Sequence, residues 1–78
     1  MRAYVLITTK PGTSEEVVNA IKAARNIKGV VQADSVYGRF DAVVVIEAED
    51  IRAISETLYK VIEKMPNIVH TETLLTVF

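Results

Sequence analysis

The sequence contains no cysteine, and this absence excludes thiol catalysis, disulfide bonds and every metal site built on thiolates. It also lacks long apolar runs. The longest are about five residues, far short of the roughly 18 that a membrane-spanning helix needs. Met1 leads at once into strand-like sequence, so we expect no signal peptide and no membrane association. The chain is predicted to be cytoplasmic.

An excess of basic residues is missing as well. Lys and Arg number 9 and Asp and Glu 10, both interspersed along the chain, for a net charge of -1. Proteins that bind nucleic acid usually carry a basic patch that displaces counterions from phosphates. The densest basic segment, residues 22–28, lies at the end of a predicted helix, where cations complement the helix dipole. We therefore expect no direct nucleic-acid binding.

The first half of the chain reads as strand, helix, strand. Residues 2–9 are short, apolar and rich in β-branched side chains, as in a strand. A Pro-Gly turn follows, and Thr13 with Glu16 fits a capping box that opens a helix ending near Lys28-Gly29. A second strand is predicted from Val30. The helix should bury the apolar positions that recur at helical spacing: Val17, Ala20, Ile21 and Ala24.

The second half repeats this order. Residues 41–50 give a third strand, and Asp50 is placed to cap a second helix. Pro66 should stop that helix, and residues 67–78 form a long last strand. The apolar stripe of the second helix is Ile51, Ile54, Leu58, Val61, Ile62 and Met65.

The two halves also align in detail. Residues 29–36 (GVVQADSV) match residues 67–74 (NIVHTETL) without a gap, position by position in residue character. Two βαβ units with interleaved outer strands form a ferredoxin-like α+β plait. We predict one domain over residues 1–78, in β-α-β-β-α-β order. Its sheet should be four-stranded and antiparallel, with both helices on one face.

The first and third strands predict a partner for the open face of that sheet. A monomer should alternate apolar and polar residues, yet residues 3–7 and 42–46 are apolar throughout. Leaving four such side chains in water is unfavourable, since each gains roughly 1.5–3 kcal/mol on burial. We expect a homodimer that pairs sheet against sheet.

Catalytic chemistry is hard to find in this sequence. His70 is the only histidine and aligns with Gln32 of the first half, which favours a surface or interface residue over a base or ligand. The acidic step Glu47, Glu49 and Asp50 offers too few converging oxygens for a Ca²⁺ or Mg²⁺ site. The third strand has no aromatics for stacking RNA bases. No catalytic residue, metal or cofactor is predicted.

One group of residues does suit a small ligand. Gly38 can let a carboxylate approach backbone N–H groups, and Asp41 is an anion suited to an ammonium group. Thr71 and Thr73 lie two apart on a strand, so their hydroxyls face the same side. An α-amino acid requires such groups. The plainer interpretation is that Gly and Asp favour turns and Thr favours strands.

The sequence resembles the C-terminal effector domain of the Lrp/AsnC family, the RAM domain. The resemblance rests on TKPG after the first strand, the Gly-x-x-Asp turn at residues 38–41 and Thr-x-Thr in the last strand. It implies dimers through the sheets, rings that are commonly octamers, and amino acids bound between dimers. Gly38, Arg39, Phe40 and Asp41 would lie along one wall of the cleft, with Asp41 holding the ammonium. Thr71 and Thr73 would lie near the other wall.

Two departures qualify this resemblance. The helix-turn-helix domain of the family's regulators is missing, so the chain resembles a stand-alone effector domain that modulates full-length relatives by mixed assembly. Phe40 stands where a tyrosine is common, which removes a hydroxyl contact. Two alternatives stay open. One is a structural interaction module, and the other is a small dimeric α/β-barrel enzyme that would use His70 or the acidic step.

Overall fold

The computed structural model describes residues 1–24 and 27–78 of the chain. Their order is β-α-β-β-α-β, and the described strands form one antiparallel sheet in the order β2-β3-β1-β4. This is the predicted ferredoxin-like α+β plait. The elements are β1 (Arg2–Thr9), α1 (Ser14–Ala23), β2 (Val30–Ser35), β3 (Ala42–Glu47), α2 (Ile51–Lys60), a 3-10 helix (Ile62–Lys64) and β4 (Ile68–Leu75).

The core lies between one face of the sheet and both helices. Alternate residues of β1 and β3 point toward the helices and are buried, and cross-strand pairs such as Val5–Val44 keep them in register. Apolar side chains of α1, α2 and the 3-10 helix pack onto the same face, which confirms that both helices lie on one side. These helical core residues are Val17, Val18, Ile21, Ile54 and Ile62.

The start of α1 differs from its predicted capping box. Thr13 is the N-cap residue, but its side chain makes no capping bond. Instead its Oγ1 donates to the carbonyl of Lys10 at 2.7 Å and its backbone N–H to the same oxygen at 3.1 Å, which closes the Pro-Gly turn. Local side-chain bonding has displaced the cap. The buried stripe also contains Val18 in place of Ala20, which is exposed.

Helix α1 ends earlier than predicted, whereas α2 begins where it was predicted. Helix α1 ends at Ala23, because Ala24 takes an extended conformation, and the predicted continuation to Lys28 is wrong. The Arg25 of the predicted basic cluster lies outside the described residues. In contrast, Asp50 caps α2 as predicted, accepting the N–H of Ala53 at 2.9 Å. Ile51 of the expected stripe is exposed.

The internal repeat is visible in the backbone. Gly29 and Asn67, aligned in sequence, both have positive φ, at 87° and 73°. Two residues after each of these positions lies a β-bulge. Val31 is left out of the pairing between β2 and β3, and Val69 is left out of the pairing between β4 and β1. The two valines are 54% and 62% exposed. Both edge strands therefore begin with the same turn and the same bulge.

The open face of the sheet carries an apolar centre, as the non-alternating strands predicted. Tyr4 pairs with Val45 and Leu6 with Val43 on the face away from the helices. Leu74, beside Tyr4, is 52% exposed, whereas Val45 is already only 8% exposed. A partner on this face would therefore cover mainly Tyr4, Leu6, Val43 and Leu74. The polar margin of the open face consists of Gln32, Asp34, Glu47, Arg2, His70 and Glu72.

Candidate functional site

The β2–β3 turn projects from the end of the sheet where β1 ends and β4 begins. Val36 to Arg39 are exposed, and the side chain of Tyr37 is fully so, at 105%. Gly38 has a φ of 149°, which only glycine adopts readily, and an added Cβ would meet no atom within 4 Å. The space beside Gly38 is thus open to a ligand or a neighbouring subunit.

Asp41 closes this turn and fastens it to β1. Its carbonyl accepts the N–H of Val36 at 2.9 Å, and its own N–H donates to the carbonyl of Ile7 at 2.9 Å. Its Oδ2 accepts the N–H of Thr9 at 2.8 Å. The residue is half-buried and leads into the fully buried Ala42. The sequence pattern indicates this carboxylate but not its bond to Thr9, which lies 32 residues away.

A pair of serines links the same turn to α1. The Oγ of Ser35, at the end of β2, lies 3.0 Å from the Oγ of Ser14, in the first turn of the helix. Ser35 Oγ also lies 3.5 Å from the carbonyl oxygen of Asp41. The turn is therefore attached to both neighbouring elements, β1 and α1. Neither serine was singled out from the sequence, because the two are 21 residues apart.

The two threonines lie on β4 as predicted, with their side chains on one side of the strand. Thr71 pairs with Ile7 and Thr73 with Val5, both of which are fully buried. Thr71 and Thr73 thus face the helix side of the sheet and are half-buried. They do not lie on the open face.

Both predicted groups flank the end of β1. Asp41 donates to Ile7 from one side and Thr71 pairs with Ile7 from the other. Two strand spacings separate them, or about 10 Å. Thr73 lies one pair further along β4. The turn and the threonines are therefore near each other but do not form one closed pocket within a single chain.

A shallow groove of about 320 Å³ runs along the outer edge of β4. Thr71 lines it together with Glu63 of the 3-10 helix and His70, and the turn residues do not. Carboxylate, imidazole and hydroxyl are all groups that can bind a polar ligand. No sequence pattern connects Glu63 with Thr71, since the chain reverses direction between them.

The opposite end of the sheet holds the acidic step and an ion pair. Glu47 accepts from Nε of Arg2 at 2.9 Å and also pairs with its Nη2. Hydrogen bonding to Tyr4, and then to Glu47, raises the pKa of Arg2 above its usual value. Both partners are about half-exposed, so the pair contributes little to stability. Within residues 1–24 and 27–78, no three metal-ligating side chains come together.

The model of the Lrp/AsnC ligand-binding domain matches residues 2–77. A hypothetical protein of Pyrococcus horikoshii has a similar solved structure, with a TM-score of 0.85 and 28% identity, over 99% of this chain and 89% of that one. A comparison with curated protein sequences found no match. No helix in the part of the chain that the structure describes is long and apolar enough to cross a membrane.

Two further structures share the fold at lower identity. E. coli AsnC aligns at 19% identity with a TM-score of 0.79, over 99% of this chain and 50% of that one. A transcriptional regulator of Neisseria meningitidis in complex with L-methionine aligns at 13% identity with a TM-score of 0.74, over 97% and 50%. The chain thus spans about half the length of each of these two proteins. Since the family model covers nearly every residue, this chain belongs to the Lrp/AsnC ligand-binding domain family.

Proposed function

We propose that this chain is a stand-alone regulatory domain that binds an amino-acid effector between subunits. The observation that carries the proposal is the match of the ligand-binding domain over residues 2–77. The Pyrococcus horikoshii protein supports the stand-alone form, because 89% of its chain is covered, against 50% for E. coli AsnC. The L-methionine complex of the Neisseria meningitidis regulator supports an amino acid as the ligand class.

The arrangement of the site favours a cleft shared between subunits. Gly38, Arg39, Phe40 and Asp41 would form one wall, and Thr71 with Thr73 would lie near the other. In one chain Asp41 and Thr71 stand about 10 Å apart across β1. The threonines face the helix side of the sheet. A ligand between them and a neighbouring turn would therefore lie outside a dimer formed through the open face.

That dimer is the second part of the proposal. Tyr4, Leu6, Val43 and Leu74 leave apolar area on the open face, which a second copy would cover. Dimers would then assemble into rings, commonly octamers, and the amino acid would bind between them. Through mixed assembly with full-length Lrp/AsnC regulators, the concentration of the amino acid would affect how those regulators bind DNA. The chain itself would act in the cytoplasm without catalysis, and without direct contact to nucleic acid or membrane.

Calorimetric titration with each of the twenty amino acids tests the proposal. We expect at least one to bind, and a ligand at 100 times its Kd to stabilise the native state by about 2.7 kcal/mol. Thr71→Val should weaken binding, because it removes a hydroxyl from a strand that tolerates valine well. Thr8→Val, on the opposite face of the sheet, is the matched control.

The rival functions predict other results. A structural interaction module would bind none of the twenty amino acids and show no thermal shift with any. An enzyme would turn over a substrate and lose that turnover in His70→Ala. A monomer in light scattering at micromolar concentration would contradict the proposed assembly.

A further inference from the structure

We propose that Asp41 is a positioning residue, whose carboxylate holds the β2–β3 turn against the end of β1 and does not bind the ligand's ammonium group. The inference rests on the proposed function, because the turn that Asp41 positions is one wall of the candidate amino-acid site. It differs from the role that the family resemblance implies for this residue.

The hydrogen bonds of Asp41 are directed inward. Its N–H donates to Ile7 and its carbonyl accepts from Val36, each at 2.9 Å. Its Oδ2 accepts the N–H of Thr9 at 2.8 Å, the last residue of β1. Thr9 itself is buried, so this N–H has little access to water. Unpaired buried N–H groups are costly, and the carboxylate oxygen therefore has a structural task.

Exposure divides the turn into two parts. Gly38 and Arg39 are exposed, whereas Asp41 is half-buried and followed by the fully buried Ala42. A ligand that approaches the turn from solvent meets the backbone of Gly38 and the guanidinium of Arg39 first. Asp41 lies behind them, where it sets their position relative to β1.

The two roles make different demands on the side chain. An amide oxygen can accept the N–H of Thr9 as a carboxylate oxygen does, but it has no negative charge for an ammonium group. Asp41→Asn should therefore preserve a positioning role and abolish an ammonium-binding role. Asp41→Ala should abolish both.

The experiment compares wild type, Asp41→Asn and Asp41→Ala by amide hydrogen exchange and by calorimetric titration with the twenty amino acids. We expect Asp41→Ala to speed exchange at Thr9 and to weaken binding of the tightest amino acid roughly tenfold, as loss of one hydrogen bond implies. Asp41→Asn should keep the wild-type exchange rate and bind within about threefold of wild type.

Asp50→Ala is the matched control. Asp50 also accepts one backbone N–H, from Ala53 at 2.9 Å, but it follows β3 at the other end of the sheet. Its loss should speed exchange at Ala53 and leave amino-acid binding unchanged. An effect of Asp41→Ala that Asp50→Ala reproduces on binding would be a general loss of stability, and would overturn the inference.

Each of the remaining outcomes also supports or overturns the positioning role of Asp41. Binding that is lost in Asp41→Asn while Thr9 stays protected would overturn the inference in favour of an ammonium contact. Unchanged exchange at Thr9 in Asp41→Ala would overturn it as well. If Asp41→Ala does not fold, Asp41→Asn alone makes the distinction. If wild type binds no amino acid, the proposed function fails, and exchange at Thr9 and Val36 still tests whether Asp41 holds the turn.

Discussion

The replacement of Gly29 by alanine should be among the most damaging small changes in this chain. Gly29 has a φ of 87°, and an added Cβ would lie 2.6 Å from the carbonyl oxygen of Glu47. That oxygen belongs to the backbone of β3 and cannot swing away as a flexible side chain would. The N–H of Glu47 also donates to the carbonyl of Gly29 at 2.8 Å, which fixes the close approach.

The expected loss has two parts. An L-residue held in the left-handed region costs about 1–2 kcal/mol. Relieving the contact would stretch or break the bond between Glu47 and Gly29, at about 0.5–1.5 kcal/mol. The free energy of unfolding should therefore fall by about 2–3 kcal/mol. At roughly 4–8 °C per kcal/mol for a domain of this size, the Tm should fall by about 10–20 °C.

Gly12→Ala provides the matched comparison. Gly12 has a nearly equal φ of 79°, but its added Cβ would meet no atom within 4 Å. It should lose only the conformational part, about 1–2 kcal/mol. Urea and thermal unfolding of both variants at equal protomer concentration measure the difference, because an oligomer's stability depends on concentration. Equal losses in the two variants would refute the argument from close approach.

Three further predictions follow from the same structure. Asn67→Ala should lower the free energy of unfolding by about 1 kcal/mol in urea, because it places alanine at a φ of 73°. Asn67→Gly should stay within about 0.5 kcal/mol of wild type, and equal effects of the two variants would contradict the argument from backbone conformation. Asp50→Ala should cost about 1 kcal/mol by losing the cap of α2, as urea unfolding would show, and an unchanged midpoint would count against the cap. Leu6→Lys should convert the proposed dimer to monomer in light scattering, whereas the exposed Tyr59→Lys on α2 should not.

Much of the fold could be predicted from local patterns. β1 was predicted at the residues where it lies, and the aligned segments at residues 29–36 and 67–74 placed both edge strands. The bulges at Val31 and Val69 were not predicted, since alternation alone gives no sign of an extra residue. Thr13 and Glu16 fit a capping box, yet the hydroxyl of Thr13 bonds backward to Lys10. Two local bonds competed, and sequence spacing could not rank them.

The candidate site was less predictable, because its geometry depends on distant residues. The bond between Thr9 and Asp41 joins positions 32 apart. The side on which Thr71 lies depends on its register with β1, a strand from the other end of the chain. Residue chemistry identified Asp41 and Thr71 as candidates. Only the folded chain shows that one is fastened inward and the other lines an edge groove with Glu63.

The central position of β1 has a consequence for the order of folding. β1 precedes both of its neighbours along the chain, and its hydrogen bonds reach as far as Thr76, 74 residues away from Arg2. β1 can therefore pair with β3 once residue 47 has been made, but its other edge stays unpaired until β4 has been made. Such distant pairings slow folding, because the chain loses loop entropy before they form. During synthesis the apolar residues 3–7 keep one strand edge open until the end of the chain is made, so the central strand behaves as an aggregation-prone edge until β4 pairs with it.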